Sequence, residues 1–286
     1  MRSILWQNSD THETQIWFMN GHKRTGRATV VDENGDRTVV GPPWNIVGAI
    51  FDPFVFGRPN ILWHNSSTNE TQIWGMFNHA VNHRATVVDE QRHPTVVGPP
   101  WSIVATRDDK PAVVWQNSDT HETQIWFMND HVRTGRATVV DENGDRTVVG
   151  HPWNIVGAGN FNGDGKDDIL WQNSDTHETQ IWFMNGHKRT GRATVVDENG
   201  DRTVVGHPWN IVGAGNFNGD GKDDILWQNS DTHETQIWFM NGHKRTGRAT
   251  VVDENGDRTV VGPPWNIVAT SFFTQDRVSP DPNAPH

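Results

Sequence analysis

The sequence predicts an all-β chain forming a single five-bladed β-propeller, with four antiparallel strands per blade and the ring closed by pairing of its N- and C-terminal strands. Three observations predict it: a phrase that recurs five times, tryptophans that come in threes, and four strand-like segments in every repeat. The phrase ILWQNSDTHETQIWFMNGHKRTGRATVVDENGDRTVVG begins at Ile4, returns at Ile169 and Ile225, and appears in altered form from Ile61 and Val113. Its first tryptophan is Trp6, Trp63, Trp115, Trp171 or Trp227, at spacings of 57, 52, 56 and 56.

A second set is Trp17, Trp74, Trp126, Trp182 and Trp238, and a third is Trp44, Trp101, Trp153, Trp209 and Trp265, which together account for all 15. Large aromatics at fixed places in a repeat are expected to pack between successive units, each removing about 150–250 Å² from water. In the fourth copy the segments rich in β-branched and aromatic residues are Trp153 to Gly159, Asp168 to Asn173, Thr179 to Asn185 and Arg192 to Glu198. Gly, Asn and Asp punctuate every gap, and no segment carries a helical apolar stripe. The chain opens on a second-strand segment, Ile4 to Asn8, and closes on a first-strand segment, Trp265 to Ala269. Joined, they complete a blade, with Phe272 and Phe273 sealing the seam. The blades then span about 44–97, 101–149, 153–205, 209–261, and 265–272 joined with 1–40. The tail from Ser279 to His286, with three prolines, reads as disordered.

Composition narrows the function classes. The 286 residues include no Cys, which excludes a disulfide framework, a thiolate metal site and a Cys nucleophile. Lys and Arg number 24 against 35 Asp and Glu, a net charge of −11, so phosphate-backbone binding to nucleic acid is not expected. No apolar run approaches the roughly 18 residues of a membrane span, and MRSILWQNSD lacks the apolar stretch of a signal peptide. Membrane insertion is therefore not expected, while action outside the cell stays compatible with the sequence.

The stretch GNFNGDGKDDILW, Gly159 to Trp171 and again Gly215 to Trp227, resembles the FG-GAP or VCBS repeat, found in integrin-type propellers and in several bacterial and fungal propeller lectins. The resemblance implies a propeller and a hairpin that holds Ca²⁺ through alternating oxygens. The ligands would be Asn160, Asn162, Asp164, the backbone carbonyl of Lys166 and Asp168, and in the second loop Asn216, Asn218, Asp220, Lys222 and Asp224. Calcium takes six to eight oxygens, and with Asn at two positions that are often Asp, binding would be weak, of order 10⁻⁴ to 10⁻³ M. The same Asn-Gly-Asp-Gly sequence also makes a hairpin turn without metal. The corresponding junctions at Ile50 to Asn60 and Thr106 to Ala112 lack the ligand set, so calcium would be a local structural staple.

Strand directions place the loop Asn173 to Thr179, the crossover Glu198 to Pro208 and the start of each first strand on one face. The hairpin Asn160 to Asp168 and the segment Asn185 to Gly191 fall on the other. The first face gathers an indole, a His, carboxylates and an Arg from each repeat. Sugars are recognised by stacking on aromatic rings and by hydrogen bonds to planar polar groups. Candidate sugar-binding residues are Trp44, Trp101, Trp153, Trp209 and Trp265, with Asp10, His12, Glu13 and Arg37 in the first unit. His121, Glu122, His177, Glu178, His233 and Glu234 are their counterparts. The resemblance to propeller lectins implies sugars lodged between adjacent blades. Local roles compete with this: Asp10 and Thr11 in a turn, Arg37 paired with Asp36, Trp44 in the core. Asn69 replaces the histidine in the second unit, which speaks against metal ligation there but leaves a hydrogen-bonding role.

Residues 4–47 and 225–268 are identical, and the fourth unit differs over that span only by His207 in place of Pro42. An axial enzyme site draws different residues from different blades, as with the paired carboxylates of glycoside hydrolysis. Near-identical blades make near-identical sites, and several weak sites on one rigid body raise avidity. No GxSxG, P-loop, HExxH or dinucleotide fingerprint is present. The sequence thus favours a non-catalytic, multivalent carbohydrate-binding lectin without an organic cofactor, its partners being glycans or glycoconjugates. A defective site is expected in the second blade, where Asn69, Gly75 and a rebuilt segment from Phe77 to His83 depart from the repeat. The alternatives are a protein-binding or purely structural propeller, and an axial hydrolase.

Overall fold

The computed structural model describes residues 2–52, 58–107 and 111–273. The tail from Ser279 to His286 lies outside them. The strands in chain order are β1 (Ser3–Asn8), β2 (Thr14–Asn20), β3 (Lys23–Thr29), β4 (Trp44–Asp52), β5 (Arg58–Asn65), β6 (Thr71–Phe77) and β7 (Ala80–Thr86). They continue as β8 (Trp101–Arg107), β9 (Ala112–Asn117), β10 (Thr123–Asn129), β11 (Val132–Thr138), β12 (Trp153–Gly159), β13 (Asp168–Asn173), β14 (Thr179–Asn185) and β15 (Lys188–Thr194). The last are β16 (Trp209–Gly215), β17 (Asp224–Asn229), β18 (Thr235–Asn241), β19 (Lys244–Thr250) and β20 (Trp265–Ser271). Four sheets follow chain order, and the fifth runs β20-β1-β2-β3. The inner strands β4, β8, β12, β16 and β20 contact one another in a closed cycle around the axis.

Closure follows the expected pattern, with β20 antiparallel to β1 from Trp265 opposite Asn8 to Ser271 opposite Ser3. Phe273 is buried in the hydrophobic cluster at that seam, and Phe272 lies 4.1 Å beneath the Arg2 guanidinium. Five apolar clusters, one per junction, form the core. At one of them Leu170, Ile181 and Val195 of one blade meet Ile225, Trp227 and Trp238 of the next. The first and second tryptophans of each unit are therefore inter-blade packing, as tilted pairs with centroids 4.7–4.9 Å apart. Phe161 and Phe217, from the loops after β12 and β16, plug the same gaps.

The outer strand departs from expectation. Arg192 to Glu198 was the expected segment, but β15 starts at Lys188 and ends at Thr194. Asn185 to Gly191, expected as a loop, is a tight Gly186–His187 turn, Gly186 at φ +62°, followed by a bulge that leaves Thr190 between the pairs Met184–Arg189 and Phe183–Gly191. Asn-Gly favours this hairpin because the turn needs a positive φ. The charged run KRTGRAT becomes strand because its arginines cover tryptophan instead of burying aliphatic side chains.

That covering joins the blades. The Asp-Glu turn of each crossover, Asp-Glu-Asn-Gly-Asp except for Asp-Glu-Gln-Arg-His at 89–93, reaches the next blade, where Glu254, Glu90, Glu142 and Glu198 accept two hydrogen bonds each from Arg24, Arg133, Arg189 and Arg245. Each guanidinium lies 4.4–4.6 Å from the ring centroid of Trp17, Trp126, Trp182 or Trp238. In the second blade Val81 occupies this register position and is buried, and Arg84, one position along on the same face, covers Trp74 and donates to Glu33 instead. The arginine hydrogen bonds pull the carboxyls of Glu90, Glu142 and Glu198 down to about 2. A folded-state value below the unfolded one near 4.5 contributes stability above that pH, lost as pH falls from about 4.5 toward 2. Denaturant midpoints should therefore drop between pH 5 and 2.5, and drop less in a Glu90→Gln/Glu142→Gln/Glu198→Gln variant. An unchanged acid response in that variant would refute this assignment. The strap carboxylates are partly exposed, so the effect should also shrink with salt.

Candidate inter-blade sites

The strand register brings the three tryptophans of a blade to one pocket. In an antiparallel sheet opposite residues share a face. Trp227 stands opposite Ile211 and Gln236, and Trp238 opposite Ile225 and Arg248. Trp209, Trp227, Trp238, Gln236 and Arg248 line a cavity of about 480 Å³, with Val205 of the preceding crossover on its other side. The equivalent cavities hold Trp153, Trp171, Trp182, Gln180, Arg192 and Val149 in about 170 Å³, and Trp101, Trp115, Trp126, Gln124, Arg136 and Val97 in about 180 Å³. All three lie at the end of the propeller where first strands start. The indole Nε1 atoms of Trp115, Trp126, Trp171 and Trp227 are buried without a hydrogen-bond partner.

Of the expected residues, Trp209 and Glu234 line the largest of these three cavities, beside Arg258, the counterpart of Arg37. Glu234 accepts from the Thr250 hydroxyl at 2.7 Å and from the Gln236 amide at 3.1 Å. The Thr250 bond, then Gln236, hold its carboxyl below the usual range, so it stands ionised as a fixed acceptor. Glu122 and Glu178 are held the same way by Thr138 with Gln124 and by Thr194 with Gln180. Arg37 pairs with Glu13 at 2.6 Å, not with its chain neighbour Asp36. Trp44 starts the sheet of β4, whereas Glu13 precedes β2 in the sheet that Trp265 starts, in line with the blade boundaries expected from the repeat.

The histidines take a different place. His12, His121, His177 and His233 sit at φ 57–59° and Asn69 at 60°, the left-handed region that suits Asn and His at a turn. Their side chains lie on Gly41, Gly150, Gly206, Gly262 and Gly98, where an added Cβ would come within 2.4 Å. The exchange of His for Asn follows from that turn. Asp10 is exposed and accepts from Ser9 at 3.2 Å. None of these residues lines the three cavities.

The residues missed in the sequence are Gln124, Gln180, Gln236, Arg136, Arg192, Arg248 and the first two tryptophans of each blade. Alternation along TQIWFMN already put Gln and Trp on one face. Only the pairing with the outer strand, whose start was misplaced, could add the arginine. On the axis, a cavity of about 110 Å³ is lined by small residues such as Gly48, Ala49, Thr106 and Gly213, with Arg2 and, among the described residues, one carboxylate, Asp167.

The calcium-like loops differ from each other. In the first, Asn162 and Asp164 accept from backbone amides two residues on, and Asp168 accepts from Met184. The amide oxygen of Asn160 is buried without a partner, and the second oxygen of Asp168 has only the Phe161 amide beside it, outside normal hydrogen-bond geometry. In the second loop Asp224 also accepts from Phe217 and Asn216 accepts from Gly219. Burial raises the Asp168 and Asp224 carboxyls to about 7. Two orphaned acceptors fit a cation in the first loop, with Asn160, Asp164 and Asp168 as its side-chain ligands, better than in the second. No cluster of three or more His, Cys, Asp or Glu arranged for a metal occurs among the described residues. Calorimetric titration with Ca²⁺ should find one weak equivalent, on the order of 10⁻⁴ to 10⁻³ M, removed by Asp168→Asn. Two equal equivalents, or none, would refute the distinction.

Fold and repeat define the class: this is an all-β repeat propeller of five blades, each of four antiparallel strands. Residues 160–227 match the family model described as an FG-GAP-like repeat. No curated protein matches the chain. Similar solved structures include a protein of unknown function from Bacteroides caccae, 11% identical over 89% of this chain and 73% of that one, TM-score 0.42. Others are Kuenenia stuttgartiensis hydrazine synthase, 11% identical over 72% of this chain and 49% of that one, TM-score 0.35, and the Photorhabdus luminescens Tc holotoxin pore, 10% identical over 85% of this chain and 11% of that one, TM-score 0.41.

Proposed function

We propose that this propeller is a non-catalytic, multivalent lectin that binds glycans in the pockets between its blades. The observation that carries this reading is the repeated cavity of three indoles, one amide and one guanidinium, seen at three junctions. Indole faces suit the apolar side of a pyranose, and fixed planar groups such as Gln and Arg suit its hydroxyls. Repetition supports several weak sites acting together rather than one strong site. Among the described residues the axial cavity is lined by one carboxylate, Asp167, where glycoside hydrolysis uses a pair.

A glycan array followed by calorimetry tests the reading. Several equivalents of saccharide per chain are expected, and Trp209→Ala should remove about one while the ring stays folded, because that indole is only half-buried. Absence of binding to every glycan, together with monovalent binding to a protein, would overturn it in favour of a protein-binding propeller. Turnover of a glycan, abolished by changing one carboxylate, would overturn it in favour of a hydrolase.

A further inference from the structure

We infer that the inter-blade pockets select acidic saccharides, with the carboxylate or sulfate held by Arg27, Arg136, Arg192 and Arg248, and that the second blade is closed to them. This rests on the lectin reading and adds the ligand's charge and the number of working sites.

Each regular blade presents two arginines beside one tryptophan, and they have different roles. Arg133 and its counterparts are largely buried and spend two N–H groups on the strap glutamate. Arg136, Arg192 and Arg248 line the cavities, and Arg27 takes the same register position opposite Trp17. All four are exposed and make no hydrogen bond or close ion pair among the described residues, each feeling the neighbouring strap glutamate only through space. The nearby carboxylates are already committed. Each strap glutamate has both oxygens on its own arginine, and Glu122, Glu178 and Glu234 are held by a threonine and a glutamine.

The lining charge follows. The cavities at Trp101 and Trp153 contain one arginine and no carboxylate, and the cavity at Trp209 contains Arg248 and Arg258 against Glu234. Each is net positive on a chain of net charge −11. Guanidinium forks pair in plane with carboxylate and sulfate oxygens, and such charge-assisted bonds are about twice as strong as neutral ones. Beside a stacking indole, that combination fits a pyranose carrying an acidic group.

The second blade shows what a filled position looks like. With Val81 in place of the strap arginine, Arg84 leaves the pocket role, lies 4.6 Å from the Trp74 centroid and donates to Glu33 at 3.1 Å. The Trp74 indole N–H is also satisfied, donating to Gln72 at 3.2 Å. The site binds its own side chains.

The test is calorimetry of the full chain with three matched probes: a uronic-acid oligosaccharide, its carboxyl-reduced neutral counterpart and a sulfated counterpart. Binding of one acidic probe at least about tenfold tighter than the neutral one is expected. It should weaken with salt and give about four equivalents, and the preferred acid identifies the group. Arg27→Gln/Arg136→Gln/Arg192→Gln/Arg248→Gln should erase the preference, so that acidic and neutral probes bind alike, and an unchanged urea midpoint shows that the variant folds. Equal binding of acidic and neutral probes by the unaltered chain, or a preference that survives the four changes, would overturn the inference and leave the lectin reading standing. Five equivalents would overturn the closure of the second blade. Failure of every saccharide to bind would overturn the lectin reading itself.

Discussion

A chain ending at Gly262 is expected to lose most of its stability and its cooperative unfolding. The deletion removes β20, the inner strand of the blade completed by β1, β2 and β3. It strips Trp265 and Ile267 from one junction and Val268, Ala269 and Phe273 from the next. At about 1.5–3 kcal/mol for each large apolar side chain buried, the loss is roughly 5–10 kcal/mol, comparable to the whole stability of an ordinary domain. The β1 edge left behind would invite aggregation. A circular permutant should restore the fold, because Ser271 stands opposite Ser3 and the Ser3 hydroxyl donates to the Phe273 carbonyl. Urea denaturation of the three chains checks this. A truncated chain that unfolds at the original midpoint would show that the seam is dispensable.

Trp227→Ala should destabilise the ring by about 3–5 kcal/mol, the usual cost of truncating a fully buried large aromatic. Trp227 is 1% exposed, lies 4.8 Å from Trp238 and is sealed by the preceding blade. The neighbouring blade cannot move in to fill the gap, since the strand ladders and straps hold it at a fixed distance. The contrast with Trp209→Ala is informative: both indoles line one cavity, yet one change should reduce stability and the other the number of ligand sites. Equilibrium denaturation of the pair decides it. A loss below about 1 kcal/mol for Trp227→Ala would mean that the junction repacks freely.

Much of the ring was legible because the repeat period, the tryptophan triplets and the split blade at the termini are properties of order along the chain. The inner three strands were legible too, since their β-branched and aromatic residues bury on both faces. The outer strand was misplaced by four residues because KRTGRAT shows no apolar alternation; its partner is an aromatic ring under a guanidinium, and that pairing exists only after β14 and β15 meet. The histidine between the second and third strands reads from its residue type as a hydrogen-bonding group for a sugar, whereas its backbone angle and the glycine beneath it make it a turn residue. Arg37 looked destined for Asp36, and the fold offered it Glu13.

Read as a string, the chain settled how many blades there are, that they nearly copy one another, and that the last strand must return to the first, since local pattern and repetition suffice for these. Which arginine straps a neighbour and which stands unpaired beside three indoles was decided in three dimensions. Two residues three apart on one outer strand are equivalent in composition, and only the bulge and the adjoining blade give one a glutamate and the other an open pocket.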